Sequence, residues 1–147
     1  MLLSEIRIEL VGQHRELRRL AEQARRAAER LGQGDRAAGS EMQWSLSQLA
    51  EALGAHNARE AELLGDLIPT IDAWGPVRAS LMSAHHREEH DALQAALGEA
   101  IDAGTAAAAL VAAVAERLLR HMDDEEREIL DPRVLRDDIC AIDASDG

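Results

Sequence analysis

Apolar residues recur at alternating steps of three and four along four stretches of the chain, and this spacing most limits the available folds. Such steps place side chains on one face of an α-helix. Breaks containing Gly or Pro separate the stretches at residues 32–35, 68–76 and 102–105. Pro76 suits a first helical turn and Thr105 suits a helix N-cap. The pattern predicts an all-α protein, an up-down-up-down antiparallel four-helix bundle over residues 1–131, followed by a short acidic C-terminal tail at residues 132–147.

Composition excludes several classes of protein. The only aromatic residues are Trp44 and Trp74, which disfavours a β-sandwich or barrel. The formal net charge of −12 argues against a nucleic-acid partner and against binding to anionic membranes. All basic residues are Arg, so no lysine can form a Schiff base, and the single cysteine, Cys140, cannot form an internal disulfide. The N-terminus lacks a signal-peptide pattern and no apolar run could span a bilayer, so we expect a soluble cytoplasmic protein.

The predicted inward faces are interrupted by polar side chains. Five of the six histidines and two glutamates fall on them. Measured from the three breaks at about 1.5 Å per helical residue, these groups lie at similar heights. A buried polar group without a partner costs about 1–3 kcal/mol, so we expect one shared ligand to satisfy them all. The seven residues are His14 on the first helix, His56 and Glu60 on the second, His86 and His90 on the third, and His121 and Glu125 on the fourth.

The spacing of these residues is suited to metal binding. His56 and Glu60, His86 and His90, and His121 and Glu125 are each four residues apart, which stacks two side chains on one helix face. Imidazole and carboxylate together are ligands for iron, manganese or zinc. Five imidazoles and two carboxylates are too many for one tetrahedral zinc ion. They suit two ions bridged by the carboxylates, and the spacing alone leaves the choice of metal open.

This combined motif resembles that of the hemerythrin-like (HHE cation-binding) family over about residues 3–130. The resemblance implies a four-helix bundle holding two iron ions with an oxo or hydroxo bridge. By this resemblance, one iron would take His86, His90 and His121, and the other His14 and His56. Glu60 and Glu125 would bridge them. Dioxygen or a related small oxidant, peroxide or nitric oxide, would bind at the less fully ligated iron.

Two features depart from the oxygen-carrying members of that family. Those members place the last carboxylate, an Asp, five residues after its histidine, a position that is Glu126 here. Glu125 instead matches the four-residue spacing of iron-sensing and nitrosative-stress relatives and lies better on the inward face, so Glu126 is the reserve ligand. The absence of Phe and Tyr leaves Leu, Met and Ala to exclude water, which argues against a stable oxygen carrier.

The leading hypothesis is therefore a non-haem di-iron protein that binds dioxygen, peroxide or nitric oxide. Weak peroxidase-like, catalase-like or nitric-oxide-related activity is left open, as is the oligomeric state. A second hypothesis is a non-catalytic iron or redox sensor, or an iron reservoir, with metal-dependent folding. A third is an interaction bundle with structural histidines. His85 points about 100° away from His86 and is expected to be exposed or to support the ligands from outside. Met122 is expected to fill the core or to flank it.

Overall fold

The computed structural model describes residues 1–67 and 76–137, with side chains from residue 84 onwards in the second range. Within these ranges the protein is helical, without strands. Trp74 lies outside the described part. The side chains of Ala79 and Met82, which the sequence places on an inward face, lie outside it too. The helices are α1 (Leu3–Gly32), α2 (Ala38–Leu64), α3 (Pro76–Asp102) and α4 (Ala108–Glu128), with a short 3₁₀ helix (Gly104–Ala107) before α4.

The connections between helices follow the predicted breaks, with one correction. Gly34 has a φ of 98°, which L side chains rarely adopt, and α1 ends beside it. The third helix begins at Pro76, as predicted. The prediction that Thr105 caps α4 is wrong, because Gly104, with a φ of 60°, starts a 3₁₀ turn and α4 begins only after Ala107. The Thr105 methyl group instead lies close to Gly39 of α2, where a Cβ atom would come within 3.2 Å of it.

The four helices pack in a ring. α1 contacts α2 and α4, and α3 contacts the same two neighbours. Aliphatic side chains fill the space between them, and Met122, 1% exposed, is one of these core residues as predicted. In the part of the chain that the structure describes, no helix is both long enough and apolar enough to cross a membrane.

The apolar side chains that the structure describes form two separate buried clusters. The larger contains residues from α1, α2, α3, α4 and the 3₁₀ turn, including Leu17, Leu49 and Leu118. The smaller joins the start of α1 and the end of α2 to the chain after α4, and includes Leu10, Leu64 and Leu130. Of the seven polar residues that the sequence singled out, His14, His56, Glu60 and Glu125 lie along their helices between residues of the larger cluster and residues of the smaller one. We call the full set of seven the polar belt: His14, His56, Glu60, His86, His90, His121 and Glu125.

Near the smaller cluster the inward stripe shifts by one residue from its predicted position. Ile6 is buried where the sequence pattern placed Arg7 inward, and Leu64 is buried where it placed Leu63. Residues three and four positions along a helix both lie on the same face, so the alternating pattern does not distinguish Ile6 from Arg7, or Leu64 from Leu63. Arg7 lies at the edge instead, where its Nε donates to the carbonyl oxygen of Leu130 at 2.8 Å.

The chain after α4 folds back onto the start of α1. Leu135 is buried in the smaller cluster. The hydroxyl of Ser4 donates to Asp137 Oδ2 at 2.7 Å, and the Ser4 amide donates to Oδ1 at 2.9 Å. This part of the predicted tail is therefore docked. Residues 138–147, with Cys140, lie outside the described residues.

Candidate metal centre

Each of the four helices delivers polar side chains to the belt. α1 supplies His14, α2 and α4 each supply a histidine and a glutamate four residues apart, and α3 supplies two histidines at the same spacing. Neither carboxylate is more than 2% exposed, and His14 and His56 are at most 4% exposed. The structure brings together all seven residues that the sequence singled out. They form two overlapping groups suited to holding a metal ion: His14, His56, Glu60 and Glu125, and His86, His90, His121 and Glu125.

The first group is fully buried between α1, α2 and α4. His14 Nε2 lies 3.0 Å from Glu125 Oε1 and 3.3 Å from His56 Nε2. His56 Nε2 lies 3.0 Å from Glu60 Oε2. Two ring nitrogens and two carboxylate oxygens therefore face a common point, which is the donor arrangement that a divalent transition metal requires.

The second group lies between α3 and α4 and is slightly more open. The side chains of His86, His90 and His121 are 10–12% exposed. His121 Nε2 lies 2.9 Å and His90 Nε2 3.6 Å from Glu125 Oε2. The His86 and His90 rings are 4.0 Å apart between centroids. Three imidazoles thus surround one carboxylate oxygen.

The two carboxylates connect the groups. Glu125 directs Oε1 towards His14 and Oε2 towards His121. Glu60 likewise directs Oε2 towards His56, while its Oε1 contacts Nε2 of His86. Each carboxylate therefore has one oxygen for each group, which is the arrangement that a bridging ligand needs.

Glu126, the reserve residue, lies outside the belt. Its carboxylate accepts hydrogen bonds from Arg18 of α1, at 3.0 Å from Nη1 to Oε1. Its Oε1 also lies 3.4 Å from Nδ1 of His14, the ring nitrogen that points away from the belt. Glu126 thus approaches the site from behind a histidine, whereas Glu125 lies among the histidines.

Some buried polar atoms of the belt have no hydrogen-bond partner among the described residues, and their positions show whether the residues fit a metal ion. Among the described residues, several belt atoms have no hydrogen-bond partner although other belt atoms lie close to them. Nitrogen and oxygen lone pairs at such short range repel one another unless a proton or a cation lies between them. The residues therefore fit a metal, and the unpartnered atoms that face the belt are Glu60 Oε2, His90 Nε2, His121 Nε2 and Glu125 Oε2.

Without a metal, protons would balance the buried carboxylates. Burial alone would lower the pKa of His56, but its contacts with Glu125 and Glu60 outweigh burial and raise the pKa to about 9. Burial would likewise lower the pKa of His86, but its contact with Glu60 outweighs burial and raises the pKa. Burial would raise the pKa of Glu125, yet the surrounding histidines, His121 first, hold it well below its usual range. In the metal-free belt, these shifts favour protonated His56 and His86 beside an ionised Glu125.

A polar network behind His56 was not predicted from the sequence. Nδ1 of His56 donates to Oε1 of Gln13 at 2.8 Å, and Nε2 of Gln13 lies 3.4 Å from Oε1 of Glu9. Glu9 is paired with Arg59 at 2.5 Å. Because Glu9 accepts from the Gln13 amide nitrogen, the amide oxygen faces His56 and keeps the proton on Nδ1. His56 Nε2 is then free to bind a metal.

His85 does not join the belt. It is exposed, as its position on α3 predicted.

Comparison with known families agrees with this geometry. The family model described as the hemerythrin HHE cation binding domain matches residues 6–131. The chain belongs to this family. The matched segment runs from the first turns of α1 past the end of α4 and includes the whole polar belt of this hemerythrin-type domain. No curated protein and no solved structure matches the chain.

Proposed function

We propose that this hemerythrin-type domain holds two iron ions in the polar belt and binds dioxygen or a related small oxidant, peroxide or nitric oxide, there. One observation carries the proposal: each of Glu60 and Glu125 directs one oxygen to each of two histidine groups. A single ion would leave one group of imidazoles unused. The up-down-up-down antiparallel topology, the division at residue 131 and a cytoplasmic location belong to the same proposal.

The residues would divide the ligand positions unequally. His86, His90 and His121 would hold one ion, and His14 and His56 the other, with both carboxylates and an oxo or hydroxo group between them. The ion with two histidines would keep a position for the small ligand. When bound, the iron pair supplies reversible electron transfer to that ligand.

The protein's own side chains would control access and charge. The two carboxylates offset part of the charge of the ions, and Gln13 fixes the donor nitrogen of His56. Leu and Met side chains of the two clusters lie on either side of the belt and limit water around the buried first group.

Metal analysis tests the proposal directly. The full-length chain is expressed in iron-supplemented medium, and its metal content and absorption spectrum are measured on one sample. About two irons per chain with a near-ultraviolet band typical of an oxo bridge would support it. One zinc ion, or no metal, would show that the belt serves another purpose. The double variant His14→Ala/His56→Ala is the matched test, because it should reduce the content to one ion or none.

A non-catalytic iron or redox sensor is a second candidate, favoured by the contacts next to the belt. Ile129 and Leu130 follow Glu125 by about one turn and pack with Leu135, so the docked chain after α4 borders the metal site. Loss of metal would then loosen that segment. Metal-dependent protection of residues 129–137 from proteolysis, with no turnover of peroxide, would favour sensing.

A further inference from the structure

A cleft between α3 and α4 leads from the surface to the polar belt. Its volume is about 460 Å³. Its inner wall is formed by His86, His121 and Glu125 of the belt. We propose that this cleft is the path by which divalent metal ions reach the belt. The inference rests on the proposed function and extends it to how the site is loaded. The polar side chains at its outer part are His85, Glu89, Glu116, Arg117, Arg120, Asp124 and Glu128.

The inner end of the cleft contains metal-binding atoms that have no hydrogen-bond partner among the described residues. Glu125 is 2% exposed, and its Oε2 has no hydrogen-bond partner among the described residues. His121 Nε2, 2.9 Å away, is also without a hydrogen bond in the described part of the chain. An ion entering here would therefore meet a buried carboxylate oxygen and a ring nitrogen first. This makes the cleft more than a group of surface acids.

The outer part of the cleft attracts cations. Its four carboxylates outnumber the two guanidinium groups that line it, those of Arg117 and Arg120. Both arginines are engaged with carboxylates: Arg117 Nε lies 3.1 Å from Glu89, and Arg120 Nη2 3.2 Å from Glu116. A third guanidinium beside the cleft, that of Arg127, lies 2.6 Å from Asp124, so a smaller excess of negative charge remains. A cleft with an excess of negative charge raises the local concentration and the association rate of cations.

A second opening to the belt, between α2 and α3, is less suitable. Its volume is about 120 Å³, and it is lined by Asn57, Leu64, His90 and the cationic Arg87, among others. Among the described residues, Glu60 is the only carboxylate in its lining, and that residue belongs to the belt itself. A hydrated divalent ion would find less space and an adverse charge there.

The cleft suits the metal better than the small oxidant. It reaches His86 and His121, which would belong to the iron with the fuller set of ligands. The position left for the oxidant would lie beside His14 and His56, which are 0% and 4% exposed. Loading from the α3–α4 side and oxidant binding on the opposite side would therefore use different parts of the belt.

The test compares loading rates in two charge-matched variants. The cleft variant is Glu116→Gln/Asp124→Asn/Glu128→Gln. The control is Glu51→Gln/Asp66→Asn/Glu99→Gln, which removes the same three charges at exposed positions outside the cleft lining. Metal-free full-length protein is mixed with Co²⁺ alone, and the visible absorption of the bound ion is followed by stopped flow. Exchange of bound Co²⁺ for radiolabelled Co²⁺ in the loaded chain gives the same comparison where the metal-free chain does not fold.

We expect the cleft variant to load about tenfold more slowly than wild type at low ionic strength, with the difference shrinking as salt is added. The control should load at nearly the wild-type rate, and both should reach the wild-type metal content. Equal rates in both variants would overturn the loading path. A wild-type chain that binds no metal pair at equilibrium would instead contradict the proposed function, whatever the rates.

Discussion

Oε1 of Glu126 lies 3.4 Å from Nδ1 of His14, while Oε1 of the neighbouring Glu125 lies 3.0 Å from Nε2 of the same ring. Two consecutive glutamates thus approach opposite nitrogens of one imidazole. The ring nitrogen that faces the belt meets Glu125, and the outward nitrogen meets a carboxylate held by Arg18. This arrangement assigns the two residues different roles, which substitution can separate.

Glu125→Gln is expected to abolish binding of the metal pair, because it removes the carboxylate that contacts histidines of both groups. Glu126→Gln should retain the pair, since its side chain lies behind His14. Iron content per chain after purification measures both. Retained iron in Glu125→Gln together with loss in Glu126→Gln would identify Glu126 as the ligand.

Gln13→Leu is expected to weaken metal binding about 10- to 100-fold, the usual effect of losing an outer hydrogen bond to a metal-binding histidine. The hydrogen bond from His56 Nδ1 is lost, so the ring is no longer fixed with Nε2 free. Gln13→Glu keeps an acceptor and should restore most of the affinity. Gln23→Leu, on the same helix but away from the belt, is the control. Competition with a chelator of known affinity gives the values, and equal weakening at both positions would mean a general effect on α1.

The stability of the metal-free chain should fall as the pH rises from 6.5 to 9. The pKa of His56 is raised from 6.5 to about 9 in the folded chain, so its stabilising contribution is complete below pH 6.5 and is lost as the pH passes 9. The pKa of Glu125 is lowered, so its contribution is present above its ordinary value of 4.5 and is lost on acidification. Thermal unfolding of chelator-treated protein across this range measures the slope. His56→Gln should flatten it, and His85→Gln, at an exposed position, should not.

Metal removal is expected to lower the stability of the wild-type chain substantially. An ion that binds only the folded state at a free concentration one hundred times its dissociation constant adds about 2.7 kcal/mol to the free energy of unfolding. Differential scanning calorimetry with and without chelator would detect this. An unchanged melting temperature would favour an interaction bundle with structural histidines.

The sequence was sufficient to predict the helices and the membership of the belt. Spacings of four residues place His86 with His90 and His121 with Glu125, and distances from the breaks bring the pairs to one height. The pattern did not select Ile6 over Arg7, because these residues follow Leu3 by three and four positions and both steps lie on one helix face. Thr105 was misassigned because a 3₁₀ turn before α4 leaves no pattern in the sequence.

The surroundings of the belt were harder to predict than the belt itself. The chain of contacts from Arg59 through Glu9 and Gln13 to His56 joins two helices by single polar residues that follow no periodic spacing. The cleft depends on how far apart α3 and α4 lie, a distance that neither helix encodes alone. A Gln directly before a belt histidine was the only available signal, and it is too common to be specific.

The separation of the two apolar clusters has a consequence for local unfolding of the protein. The layer between them contains buried charged groups and little hydrophobic surface. It therefore contributes least to the cooperativity of unfolding between the two ends of the helices. The smaller end of the molecule, with the first turns of α1 and the chain after α4, can open there without disturbing the larger one. Amide hydrogens at the two ends would then exchange at different rates in the metal-free chain. Ions that tie all four helices together at this layer would make the two ends exchange as one unit.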